Sequence, residues 1–237
     1  MKVLFRQGDA IILFTTGKTS NKKIADPKET IIQTYSFSRG QLAASLQKGT
    51  MTEFFGHDEP VCGNCPFAVN NGAKVSACYT HKYMQYAGFL SSLRAIARKY
   101  ESFDNIPELD DTMRAGIVGM SAGRYVRFGS YGEPSLIPID LVARICNVAS
   151  MWTGYTHQWA NRPEYADYFM ASTHGAVDTV MAETSGWRCF ASTHEAMDTM
   201  VHCPASKEAG FVSRCSKCGL CSGTKGKGKK SVNIILH

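Results

Sequence analysis

Ala171-Ser172-Thr173-His174-Gly175-Ala176-Val177-Asp178-Thr179 returns twenty residues later as Ala191-Ser192-Thr193-His194-Glu195-Ala196-Met197-Asp198-Thr199. Each copy is an apolar strand that ends in Ser-Thr-His and runs into a helical pattern. The same alternation extends outward from the repeat. Strands are predicted over 125–129, 152–156, 167–173 and 187–193, and helices over 139–150, 176–184 and 195–200. Strand alternating with helix predicts a parallel sheet with crossover helices. A complete eight-fold barrel usually takes about 250 residues, and the first half of this chain reads differently. The expected fold is therefore α/β, a partial (β/α) barrel or open parallel sheet with cysteine-rich metal-binding extensions.

The remaining elements are sparser. Residues 1–15 alternate and then run apolar (Val3, Phe5, Ile11, Ile12, Leu13, Phe14), as a strand or hairpin does; 16–28 read as a loop and 39–48 as a short helix. Tyr79, Tyr83, Tyr86, Leu90, Leu93, Ala97 and Tyr100 recur at helical spacing, predicting a helix over 79–100 that begins beside Cys78 and buries this stripe in the core. A last strand is expected over 232–236. One domain over 1–237 is expected: N-terminal strands and loop to 60, a cysteine motif and βα core over 61–202, and a C-terminal metal motif and strand over 203–237.

No apolar run approaches the roughly 18 residues needed to cross a bilayer, and Met1-Lys2-Val3-Leu4-Phe5-Arg6 has no secretory character. A cytoplasmic location follows as the expectation, and there nine cysteines bind metal or serve catalysis more often than they form disulfides. The net charge of +6 permits a nucleotide or nucleic-acid partner without indicating one. Lys225, Lys227, Lys229 and Lys230, interleaved with glycine, read as a solvated flexible turn.

The cysteines fall into groups. Cys215, Cys218 and Cys221 form C-x2-C-x2-C, with Cys203 upstream before Pro204. Short even spacing plus a distant fourth cysteine is the pattern of an iron–sulfur cubane, whereas structural zinc more often takes two separated C-x2-C pairs. Cys62 and Cys65 form a second C-x2-C, followed after twelve residues by Cys78. Three thiolates leave one position open for a small-molecule cofactor, unless zinc takes His57 or His81 as a fourth ligand. Cys146 and Cys189 sit within apolar elements and are expected as core.

The C-terminal ends of parallel strands line the active face in barrels. Ser172, His174, Ser192 and His194 occupy such ends, although Ser and Thr there also cap helices. Glu133, in Gly132-Glu133-Pro134 after the strand over 125–129, is presented in the same way.

The combination of a three-cysteine motif ending in Cys78-Tyr79, the Gly132-Glu133-Pro134 turn, βα units and a four-cysteine C-terminal motif resembles the layout of radical S-adenosylmethionine enzymes. The resemblance implies a 4Fe–4S cluster on Cys62, Cys65 and Cys78, an S-adenosylmethionine amine held at Gly132 and Glu133, and an auxiliary cluster on Cys203, Cys215, Cys218 and Cys221. The superfamily's common motif is C-x3-C-x2-C, and Tyr131 stands where its turn has a first glycine. Over Phe54 to His237 the chain is also similar to the phage gene product 88 family. That likeness is carried by Val126 to Pro134, by Thr153-Gly154-Tyr155-Thr156, by Cys203-Pro204, by the C-x2-C-x2-C and by a final strand ending in His237. It implies a phage protein in the host cytoplasm and a single domain. Glu133, His174 and His194 are the catalytic candidates, and Gly132, Glu133 and Tyr155 the cofactor-binding ones.

Two other classes fit. A zinc enzyme similar to the guanine-exchanging transglycosylases would use Cys215, Cys218, Cys221 and His237, with Glu133, Asp178 or Asp198 as nucleophile. A non-enzymatic metal-stapled binding protein would use the cysteines for stability alone.

Overall fold

The computed structural model describes residues 2–47, 50–69, 78–81 and 83–236. They form a mixed α/β fold with two five-stranded sheets. β1 (Lys2–Gln7) and β2 (Ala10–Gly17) make the expected hairpin, Gln7 opposite Ala10, around Gly8 at φ +56°. β2 pairs antiparallel with β3 (Ile31–Ser38), a strand beyond those the pattern predicts. From β3 onward the sheet is parallel, through β4 (Tyr125–Tyr131) to β5 (Met151–Thr153). The first half of the chain thus continues the same sheet and is not a separate extension.

The long crossover from β3 to β4 holds α1 (Arg39–Leu46), α2 (Met51–Phe55), α3 (Glu59–Cys62), α4 (Tyr83–Tyr100) and α5 (Asp111–Ser121). Ser38 with Gln41, and Thr50 with Glu53, close reciprocal capping boxes on α1 and α2. The helix expected from Tyr79 starts at Tyr83, because Tyr79–His81 form a 3-10 turn, so its N-terminus does not abut Cys78. Leu93 and Ala97 of this helix are buried, and Tyr86, Leu90 and Tyr100 pack partly against them, as the stripe predicts. The side chains of Tyr79 and Tyr83 lie outside the described residues. Phe5, Phe14, Phe37, Phe54, Phe55 and Phe128 fill this core, each burial contributing about 1.5–3 kcal/mol.

In the second sheet all strands are parallel. Its order is β6 (Tyr155–Thr156), β7 (Met170–Thr173), β8 (Cys189–Thr193), β10 (Val232–Ile235), β9 (Val201–His202). The single strand expected over 152–156 is broken at Gly154, which separates β5 from β6. Its amide donates to the Cys221 carbonyl at 3.1 Å, and its own carbonyl accepts from Met170 at 3.0 Å. A side chain here would stand 2.5 Å from Phe169 Cδ1. The described strands form two sheets and no closed barrel.

α6 (Ile139–Val148) and α7 (Ala176–Thr184) match the predicted helices. The second repeat copy forms no helix: residues 194–200 run from β8 to β9 as bends and turns. Neither serine of the repeat caps α7. Gly175 is its N-cap, and the Asp178 carboxylate accepts from the His174 and Gly175 amides at 2.7 and 2.9 Å.

The Gly/Lys stretch is compact rather than a flexible turn. A Cβ on Gly226 would lie 1.9 Å from Ser222 Oγ, and one on Gly228 would lie 2.5 Å from Arg188 Nη2. Lys225 pairs with Asp167 at 2.7 Å. No helix among the described residues is long and apolar enough to cross a membrane.

Candidate functional site

The ends of β4, β6 and β7 place Glu133, His157 and His174 side by side. Gly132 turns the chain at φ +73°, where a Cβ would meet Ser36 Cβ at 2.8 Å and the Ser36 carbonyl at 2.9 Å. Beyond it the Glu133 amide donates to Val61 O at 2.6 Å, fastening the turn to α3, which ends at Cys62. The Glu133 carboxylate is buried and saturated. Oε1 accepts from the His157 amide at 2.8 Å and from His157 Nδ1 at 3.1 Å; Oε2 accepts from Thr156 Oγ1 at 2.6 Å and Ser135 Oγ at 3.3 Å. Those are the four acceptor positions a carboxylate has.

His157 Nε2 lies 3.0 Å from His174 Nε2, the two near-parallel rings meeting edge to edge. Burial opposes a charge on His157, but hydrogen bonds with Cys65 and Glu133 and the charges of both outweigh it and hold the ring up at about 10. Burial, and then the His157 charge, push His174 down to about 4. His157 Nδ1 thus faces Glu133 and its Nε2 faces His174. His174 is left with a buried Nδ1 that has no partner among the described residues, beside the Phe67 ring at 4.8 Å.

The early cysteines face this group. Burial raises the Cys62 thiol well above its ordinary value, and the charges of Asp58, Cys65, Cys78 and Glu133 add to it. Cys78 is raised first by burial, while its 2.9 Å contact with Thr80 Oγ1 offsets part of the shift. Gln158 Nε2 donates to Asn64 Oδ1 at 2.9 Å, inside the Cys62–Cys65 turn. Of the two zinc-ligand alternatives, His57 is exposed and His81 is buried against Phe55 with ring centroids 3.8 Å apart. Besides these two, His157 acts on Cys65.

The late cysteines assemble on one face of the second sheet. α8 (Cys215–Cys218) is a single helical turn that sets its two cysteines on one side. Gly219 at φ +67° then reverses the chain and returns Cys221. The Cys215 and Ser216 amides donate to Lys23 O and Ile24 O at 3.0 and 2.9 Å, and Cys203 follows the end of β9. The four thiols line a cavity of about 60 Å³ with Lys23, Thr153, Tyr155 and Phe190. That volume exceeds the roughly 10–15 Å³ that one water needs.

No carboxylate lines this cavity among the described residues. The cations Lys23 and Arg127 act on Cys215, and Arg188 acts on Cys221. Burial raises Cys215 to about 11, Cys203 adding to the shift while Arg127 and Lys23 oppose it. Burial raises Cys221 further, against a hydrogen bond from Tyr155, and the other three thiols add to it. Four thiols that raise one another are relieved by a bound cation. Yet among the described residues no three Cys, His, Asp or Glu side chains are grouped as ligands of one ion.

Tyr155 thus belongs to the late cysteines and not with Gly132 and Glu133. Strand pleating sends it to one face of β6 and sends Thr156, facing Glu133, to the other. His194 is exposed at the end of β8 and makes no hydrogen bond to Glu133, His157 or His174 among the described residues. Asp178 is occupied as a helix cap, Asp198 is exposed in a turn, and His237 lies outside the described residues. Cys146 and Cys189 are buried in the core as expected. His157 escapes the sequence reading, although it follows its strand as directly as His174 follows β7. Compared with protein-family models, curated proteins and solved structures, the chain finds no match in any of the three.

Proposed function

We propose that this protein is an iron–sulfur enzyme of radical S-adenosylmethionine type, with an open centre at Cys62, Cys65 and Cys78 and a closed one at Cys203, Cys215, Cys218 and Cys221. One observation carries it: four cysteines from two segments line one partly open cavity of about 60 Å³ whose lining has Lys23 and no carboxylate among the described residues, with Arg127 and Arg188 also acting on its thiols. An anionic thiolate-ligated cluster suits that field, and its size suits the void better than one zinc ion does.

The early site has the opposite electrostatics. Asp58 and Glu133 act on its thiols, which favours a cationic occupant. Bound there, a reduced cluster with S-adenosylmethionine supplies one-electron chemistry that ends in abstraction of a hydrogen atom from substrate. The chain's own work is positioning. Glu133 fixes His157 against Cys65; a ligand amine at Glu133 would replace the longest of its four bonds, that from Ser135 at 3.3 Å. The buried Nδ1 of His174 is a hydrogen-bonding group left for a substrate.

Anaerobic purification and reconstitution with iron and sulfide, followed by iron, sulfide and zinc analysis, tests the reading. Expected are two clusters and an electron paramagnetic resonance signal of the reduced protein that changes when S-adenosylmethionine is added. Uptake of zinc alone under these conditions removes the proposal and leaves the zinc enzyme in its place.

A further inference from the structure

Arg188 is the only buried lysine or arginine among the described residues. It stands two residues before Phe190, which lines the late cysteine cavity, and its own carbonyl continues the strand ladder by accepting from Ala171 at 2.9 Å. The pleat therefore sends both side chains to one face. Arg188 Nη2 donates to the carbonyl of Leu220, another lining residue, at 2.7 Å. Nη1 donates to the Ser222 and Gly223 carbonyls at 3.4 and 2.9 Å. The guanidinium thus grips the peptide carbonyls on either side of Cys221, directly behind the cavity wall.

No anion among the described residues offsets this charge. All four hydrogen bonds, the last to Lys230 O, end on backbone carbonyls, and the buried Nε has no partner. Glu183 reaches the same loop, but it accepts from Ser231 Oγ at 2.6 Å. The loop is also closed to further side chains: a Cβ on Gly228 would lie 2.5 Å from Arg188 Nη2 and 2.7 Å from Leu220 O. The exposed residues around it, Lys227, Lys229 and Lys230, have the same sign. Carbonyl dipoles solvate a cation without neutralising it, and a buried charge with no counter-charge is costly. Metal ligation would supply the missing anion. Cysteines bind metal as thiolates, and four of them leave a net negative charge around either a zinc ion or a cubane.

We infer that Arg188 is the countercation of the late cysteine site, a positioning residue whose charge favours an anionic metal–thiolate centre there. This rests on the reading that the four late cysteines bind metal, and it holds for zinc as for a cluster. The charge of Cys221 in turn favours the charged guanidinium.

Full-length protein carrying Cys62→Ser and Cys65→Ser, which leaves the late group intact, is titrated with cobalt(II). Thiolate charge-transfer bands report sulfur ligation. Arg188→Gln keeps a donor without the charge and is expected to weaken cobalt binding about tenfold or more. Arg188→Lys keeps the charge without the planar fork, and its affinity is expected to stay within about threefold of the parent although the fold loses stability. Equal losses in the two variants, or none in either, overturn the countercharge and leave a structural clasp alone. A second readout needs no substitution at Arg188: nitrogen-15 NMR of its Nε–H in the zinc-free and zinc-loaded protein. The resonance is expected to move and its solvent exchange to slow on loading; an Nε–H that zinc leaves unchanged overturns the inference. Late cysteines that take up neither cobalt, zinc nor iron with Arg188 in place overturn the metal reading beneath it, an outcome distinct from the others.

Discussion

Arg188→Met removes a side chain that ties the C-terminal cysteine loop to the start of β8. Arg188 is 7% exposed. Its Nη1 donates to Gly223 O at 2.9 Å and to Ser222 O at 3.4 Å; Nη2 donates to Leu220 O at 2.7 Å and Lys230 O at 2.5 Å. No carboxylate shares this work, so the charge is held by carbonyl dipoles and by Cys221. Hydrogen bonds from a charged donor contribute about 1.5–3 kcal/mol each. Three of these bonds are shorter than 3 Å, which gives a gross value of about 5–9 kcal/mol. Truncation recovers part of the cost of burying the guanidinium, and some freed carbonyls reach water, so the net loss is about 3–5 kcal/mol. For a chain of this size that lowers the melting temperature by about 6–20 °C. Urea unfolding should show a lower midpoint at unchanged slope. Amide exchange should quicken first over 220–230, which Arg188 clasps, and Arg188→Lys should recover only part because an ammonium lacks the planar fork. A loss under about 1 kcal/mol, or protection falling evenly over the chain, would refute the clasp.

Further outcomes follow from the same geometry. Glu133→Gln places an amide against donors that all need an acceptor, and should cost about 2–4 kcal/mol in urea unfolding while altering the His157 ring resonances. In the metal-free protein, burial and the neighbouring His157 charge hold His174 down at about 4. A depressed histidine stabilises fully above its unfolded value of about 6.5. That contribution is lost as pH falls from there toward 4, so the melting temperature should drop across this window by more in wild type than in His174→Gln. Gly226→Ala has no room beside Ser222 Oγ and should lower stability by about 1–3 kcal/mol, measured by the urea midpoint; a neutral result would return the Gly/Lys stretch to a flexible turn.

Local pattern made much of this fold legible. α7 lies where the repeat predicts it, and β4, β7, β8, β10 and α6 fall within the predicted stretches or run past them by a few residues. The four late cysteines line one cavity, three of them brought there by one helical turn and a left-handed glycine. What escaped depends on partners distant in sequence. The second repeat copy keeps Asp198 where the first has Asp178, but its connection to β9 runs as bends and turns. Tyr155 and Thr156 are neighbours in one apparent motif, and only the pleat of β6 shows that they serve different sites. The lysines of the Gly/Lys stretch are exposed as read, but Gly226 and Gly228 are buried, and Arg188, which binds the Lys230 carbonyl, lies 42 positions away.

The position of β10 carries a consequence for how the molecule is made. It is the last of the described strands, yet it lies between β8 and β9. Until its residues leave the ribosome, β9 has no neighbour to pair with and Cys203 has no Asn233 carbonyl to hold its amide. The edge of the second sheet that carries Cys203 is therefore set late, by residues made after it, while β6, β7 and β8 can pair as they emerge.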